Sequence, residues 1–197
     1  MCLLLETIRI NNGKPQNLEY HQARLNAAMK FHFTQYESFK LSEYISCPVE
    51  LQKDIVKCRV LYDRSIQTIT YDSYSRRLIQ SLALVHNNNI EYNWKYADRS
   101  EFEEMSGNNW ADDVLIVKNG LITDTSFSNI AFFDGKNWLT PKTPLLKGTR
   151  RESLLRTGKL YEADISPKDL PTFAEARIIN AMIDIFDHPA IAVEAIK

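Results

Sequence analysis

The stretch "VLIVKNGLITD", residues 114–124, constrains the fold more than any other. Two apolar, β-branched runs meet at Asn119-Gly120. Asn-Gly tolerates the positive φ that a two-residue type I′ turn requires, and that turn matches the twist of paired strands. An antiparallel hairpin follows. "NIAFFDGKNWLT", residues 129–140, repeats the device with Asp134-Gly135. "EARIINAMI" and "AIAVEAI" read as closing strands, and "GTRRESLLR" begins a helix. The second half is therefore mostly β, with a barrel-like or sandwich-like layout.

The first half mixes elements. "LLLETIRI" is a buried strand and "NNGKPQN" a turn. Asn17 is placed to cap the helix "LEYHQARLNAAMKFH", whose apolar face is Leu18, Leu25, Ala28 and Met29 with His21 beside it. Arg24 lies at the edge of that face. Short helices are expected around Pro48, then strands in "VKCRVLYD", "IQTITYDSY", "LIQSLALV" and "IEYNW". The whole is α+β, divided at the polar cluster "HNNN" into a small domain over 1–88 and a larger one over 89–197 that carries Lys95.

Composition excludes several classes. With Lys+Arg 24 against Asp+Glu 25, no charge excess points to nucleic acid or a membrane surface. No apolar run reaches the length of a membrane span. "MCLLLETIRI" lacks a basic leader and a cleavage site, so no signal peptide is read. Cys2, Cys47 and Cys58 are too few and too scattered for a disulfide framework or a zinc site. A soluble cytoplasmic globular protein is expected.

Four places carry candidate chemistry. Lys95 stands between Trp94 and Tyr96, at the expected end of a strand, and Asp98 with Glu101 resembles a capping box. Two readings stay open: a lysine whose head snorkels to water, or a partly desolvated amine with nucleophilic character. In "LLKGTRRESLLR", Gly148 permits close backbone approach, and Thr149 with Glu152 forms a capping box. Such a helix start suits an anion, though ordinary capped helices look the same. Asp124 follows a strand in a Ser/Thr-rich stretch, placed to hold a protonated ring nitrogen or to cap a turn. Arg24 needs an anionic partner if covered, either a protein carboxylate or a phosphate.

In order, "HQARL", a lysine in "KYADRSEF", "DDVLIV…GLITD…SNIAFF…WLTP", "GTRR" and "EARIINAM" resemble the class IV aminotransferases, the fold-type IV pyridoxal-phosphate enzymes. "KYADR" and "INAM" look most like the 4-amino-4-deoxychorismate lyase branch. The resemblance implies a dimeric enzyme using pyridoxal 5′-phosphate, with Lys95 bonded covalently to the cofactor. It implies that Arg24 and the amides of Thr149 and Arg150, after Gly148, hold the phosphate, and that Asp124 faces the ring nitrogen. Arg59, Arg9 and Asn180 match positions near the substrate. It leaves open a branched-chain or D-amino acid aminotransferase, or a relative that binds the cofactor or a metabolite without turnover. The chain departs from the pattern with Asp124 in place of glutamate, Asp98 in place of asparagine, and a start at the "ETIR" strand.

Overall fold

The computed structural model describes residues 2–107 and 109–197. The fold is α+β and comprises two compact units, residues 1–76 with 94–98, and residues 77–93 with 99–197. The boundary expected at 88/89 falls inside the second unit, and Lys95 groups with the first.

The first unit is an antiparallel sheet in the order β2-β1-β3-β4. Its strands are β1 (Leu4–Asn11), β2 (Lys14–Pro15), β3 (Ile55–Tyr62) and β4 (Ile66–Ser73). Asn12 and Gly13, both with positive φ, turn β1 into β2. Alternation along β1 turns Leu4, Ile8 and Ile10 inward, where they join Leu25, Ala28 and Met29 of α1 (Leu18–His32) in one core cluster. Val56, Cys58 and Val60 of β3 complete that layer. Each such side chain contributes roughly 1.5–3 kcal/mol by leaving water.

Asn17 occupies the N-cap position, but its side chain makes no capping bond. Its φ of 53° is left-handed, whereas capping side chains work from extended backbone. Its carbonyl accepts the Tyr20 and His21 amides instead. Around Pro48, α2 (Leu41–Tyr44) and a 3-10 turn at Val49–Leu51 form as expected.

The second unit contains β5 (Leu82–His86), α3 (Ser100–Gly107), β6 (Asp113–Lys118), β7 (Leu121–Thr125), β8 (Asn129–Phe133) and β9 (Trp138–Pro141). Then come α4 (Thr149–Arg156), β10 (Tyr161–Ala163) and β11 (Glu175–Ile179). Strand β5 pairs parallel to β6, which explains why its residues belong here. The β6–β7 hairpin turns on Asn119 and Gly120, both at positive φ. The β8–β9 hairpin differs from its Asp-Gly expectation. Its loop spans residues 134–137, and Asp134 Oδ1 accepts the Lys136 and Asn137 amides.

Two expected strands are absent. Residues 90–94 have no ladder partner, although Ile90 and Tyr92 are buried and Glu91 and Asn93 exposed. The alternation there records burial without pairing. Residues 190–196 form a bridged connector with a 3-10 turn at Val193–Ala195. Ile191 bridges to Ala176 of β11 and Ile196 to Leu82 of β5. Because β11 also pairs with β8, the connections run through β5, β6, β7, β8 and β11 and return to β5. The unit is barrel-like by that closure. No helix among the described residues is long and apolar enough to cross a membrane.

Candidate active site

Lys95 sits in a short segment that lines the outer edge of β1. The Leu5 amide donates to the Lys95 carbonyl at 2.9 Å, and the Ala97 amide to the Leu3 carbonyl at 2.9 Å. Tyr96 bridges Leu4. Trp94 and Tyr96 pack on the first unit's core. The residue therefore has its main chain fixed to a core strand, although it does not end a strand of its own.

One position further along β1 lies Glu6, fully buried in the inward register. Its Oε1 accepts Arg24 Nε at 2.8 Å and its Oε2 accepts Arg24 Nη2 at 2.6 Å. His21 Nδ1 lies 2.6 Å from Oε2, and His21 is itself buried. Burial alone pushes the Glu6 carboxyl up. The Arg24 charge and hydrogen bonds, with His21 donation, overcome this and hold it down to about 2. Burial lowers the His21 pKa; Glu6 opposes that, while the charges of Arg24 and Lys95 add to it. The imidazole is accordingly neutral at pH 7, donating from Nδ1 to an ionised Glu6. The partner that Arg24 requires is thus a protein carboxylate.

In the second unit, Asp124 is the buried acid of β7. Oδ1 accepts Asn129 Nδ2 at 2.7 Å and Oδ2 accepts the Leu146 amide at 2.9 Å. Burial pushes its carboxyl up to about 6, against those hydrogen bonds and the charge of Arg151. Asn129 Nδ2 also donates to the Leu146 carbonyl at 2.8 Å. Gly148 follows, as the N-cap of α4 with no side-chain cap, and Thr149 is the first helical residue. The Thr149–Glu152 capping box is therefore not made, and Glu152 instead accepts from Arg156. A Cβ at Gly148 would stand 2.0 Å from Asn129 Oδ1. Glycine is required there, and the helix starts one residue before the hydroxyl could cap it.

The remaining candidates are placed as follows. Arg150 directs its side chain to Asp184, with Nε 2.9 Å from Oδ1, so only its amide belongs to the start of α4. Asn180 Oδ1 accepts the Met182 and Ile183 amides, and its Nδ2 donates to Ser128 Oγ at 2.9 Å. Arg9 and Arg59 stand on the sheet face opposite Glu6, since β1 pairs Thr7 with Arg59 and Arg9 with Lys57. Arg59 is exposed. The structure does not bring these two to the Glu6–His21–Arg24 cluster.

Sequence reasoning missed Glu6, and quoted Asn129 within "SNIAFF" without giving it a role. Glu6 was findable: it interrupts the inward set Leu4, Ile8, Ile10, and a carboxylate there needs partners such as an i, i+3 His and Arg pair. Asn129 has one partner, Asp124, on the neighbouring strand of its own hairpin, and a second, Leu146, further along the chain.

The pattern for Amino-transferase class IV matches residues 3–191. The chain belongs to the class IV aminotransferases. An uncharacterized protein of Haemophilus influenzae is 40% identical over 185 residues, covering 92% of this chain and 98% of that one. A structure provisionally assigned as a 4-amino-4-deoxychorismate lyase, from Haemophilus somnus 129pt, superposes with TM-score 0.87 at 29% identity, covering 93% of this chain and 98% of that one. An amino-acid aminotransferase, also provisionally assigned, from Mesorhizobium loti has the same fold, with TM-score 0.80 at 21% identity, covering 100% of this chain and 99% of that one. The chain is thus an enzyme of a family whose members use pyridoxal phosphate.

The donor set of this class IV chain fits that group chemically. The first unit by itself carries a lysine amine and a guanidinium already paired with Glu6. The second supplies a buried carboxylate, suited to a protonated ring nitrogen, and a glycine-capped helix start, suited to a phosphate. Among the described residues no group of His, Cys, Asp and Glu is arranged to hold a metal.

Proposed function

We propose that this chain is a pyridoxal-phosphate-dependent lyase acting on 4-amino-4-deoxychorismate and releasing 4-aminobenzoate and pyruvate. Three features support the reading, each within its own unit and all in family order along the chain: a lysine anchored to a core strand, a buried, high-pKa carboxylate, and a glycine-capped helix start. The lyase choice is supported by "KYADR", "INAM" and the likeness to the Haemophilus somnus chain over nearly the whole of both.

The cofactor, when bound, supplies an electron sink for a carbanion on the substrate. Lys95 would be the residue that holds it, and Lys95 Nζ would be the base for a proton on the substrate carbon. Asp124 in its ionised form would favour a protonated ring nitrogen. Arg24, whose guanidinium Glu6 fixes, would be the first unit's candidate for the phosphate, and the amides of Thr149 and Arg150 the second unit's. Arg9, Arg59 and Asn180 are the substrate-side candidates. A cytoplasmic homodimer is part of the same reading, and sedimentation tests the dimer.

Borohydride reduction after incubation with pyridoxal phosphate should label the wild type and leave Lys95→Ala unlabelled; equal labelling refutes the lysine assignment. Arg24→Ala should weaken cofactor affinity more than it changes folding. Turnover of 4-amino-4-deoxychorismate without a 2-oxo acid supports the lyase. An absolute need for that acceptor makes the protein a transaminase, and cofactor binding without turnover makes it a non-catalytic relative.

A further inference from the structure

We infer that Asn129 is a positioning residue that locks the Asp124 carboxylate to the turn opening α4. The inference rests on the reading above, in which Asp124 serves the ring nitrogen and α4 the phosphate.

The geometry lies wholly within the second unit. Asn129 faces Asp124 across the β7–β8 hairpin, where the two are ladder partners. From there its one amide nitrogen donates to Asp124 Oδ1 and to the Leu146 carbonyl. The Leu146 amide returns a bond to Asp124 Oδ2. Leu146 is therefore gripped on both main-chain groups, one by each side chain. Asn129 Oδ1 fills the space where a Cβ at residue 148 would stand. The asparagine cannot swing aside without losing both donated bonds. Its side chain thus sets the spacing between the acid and the first helical amides, and Gly148 is the residue that fits this spacing.

The grip depends on charge. An ionised Asp124 accepts from both Asn129 and Leu146, whereas protonation turns one acceptor site into a donor. The charged side chain acting on this carboxylate is Arg151 of α4, and the Leu145 and Leu146 amides and Asn129 supply its hydrogen bonds.

The test is a cycle of Asn129→Ala, Gly148→Ala and the double variant in the full chain, read by thermal unfolding without cofactor and by pyridoxal-phosphate titration from pH 5 to 8. Gly148→Ala should lower Tm, and the double variant should be no less stable than Asn129→Ala alone. Asn129→Ala should bind pyridoxal phosphate about ten- to a hundredfold more weakly, as expected for losing a hydrogen bond to a charged group. The pH below which affinity falls should also rise, because the carboxylate loses a donor. A purely structural role would leave that pH unmoved. Strictly additive losses of Tm overturn the grip, and unchanged affinity and pH profile overturn the positioning role. A wild type that takes up no pyridoxal phosphate overturns the functional reading, while the unfolding cycle still judges the grip.

Discussion

Glu6→Gln keeps the volume of a fully buried side chain and removes its charge. The wild-type carboxylate receives two Arg24 hydrogen bonds and one from His21. Its depression from 4.5 to about 2 persists against full burial. At ~1.4 kcal/mol per unit, that shift is worth about 3 kcal/mol of folding stability. The folded pKa lies below the unfolded one, so this stability is fully present above pH 4.5 and is lost as pH falls toward 2. Glutamine offers one acceptor oxygen and turns an NH₂ group toward the guanidinium, so the ionic contact between residue 6 and Arg24 is lost. Urea unfolding of wild type and variant should therefore show a gap of about 3 kcal/mol at pH 7, shrinking to about half near pH 3. Titration of other carboxylates cancels in the difference. A gap that is equal at pH 7 and pH 3, or below about 1 kcal/mol at pH 7, refutes the claim that the pair is a strong buried ionic contact.

Asp124 should show the opposite dependence. Its folded pKa, raised from 3.8 to about 6, makes its ionisation destabilising in the cofactor-free chain. Relative to Asp124→Asn, wild type should gain up to about 3 kcal/mol between pH 7 and pH 4; a flat difference in denaturant midpoints across that range sinks the assignment. At Asn17, Gly should be neutral or stabilising and Ala should cost about 1 kcal/mol, because left-handed backbone is the constraint there. Rescue by Asp in chemical denaturation, with Ala no worse than Gly, would restore the capping role instead.

Much of this was legible in the sequence. Asn119-Gly120 announced its hairpin because its turn chemistry is local, and the apolar face of α1 because its period is local. Failures came where a local pattern has two physical causes. Ile90 and Tyr92 alternate as a strand would, but they alternate by burial, with Tyr92 against the Phe102 ring at 4.8 Å. Thr149 and Glu152 have capping-box spacing, but the N-cap is Gly148 and Thr149 is already helical. Arg24 was located correctly at the margin of the core, while its partner Glu6 lies 18 residues away in a strand whose other inward residues are apolar.

The five-residue excursion at 94–98 also bears on how the protein is made. Sheet pairing within 1–76 leaves the outer edge of β1 at Leu3 and Leu5 without the main-chain partners that Lys95 and Ala97 later supply. Translation at ~5–20 residues per second takes on the order of seconds to cover that interval. For that time an apolar strand presents an open edge, the usual template for mispairing between nascent chains. A fragment ending at residue 88 would carry that open edge permanently.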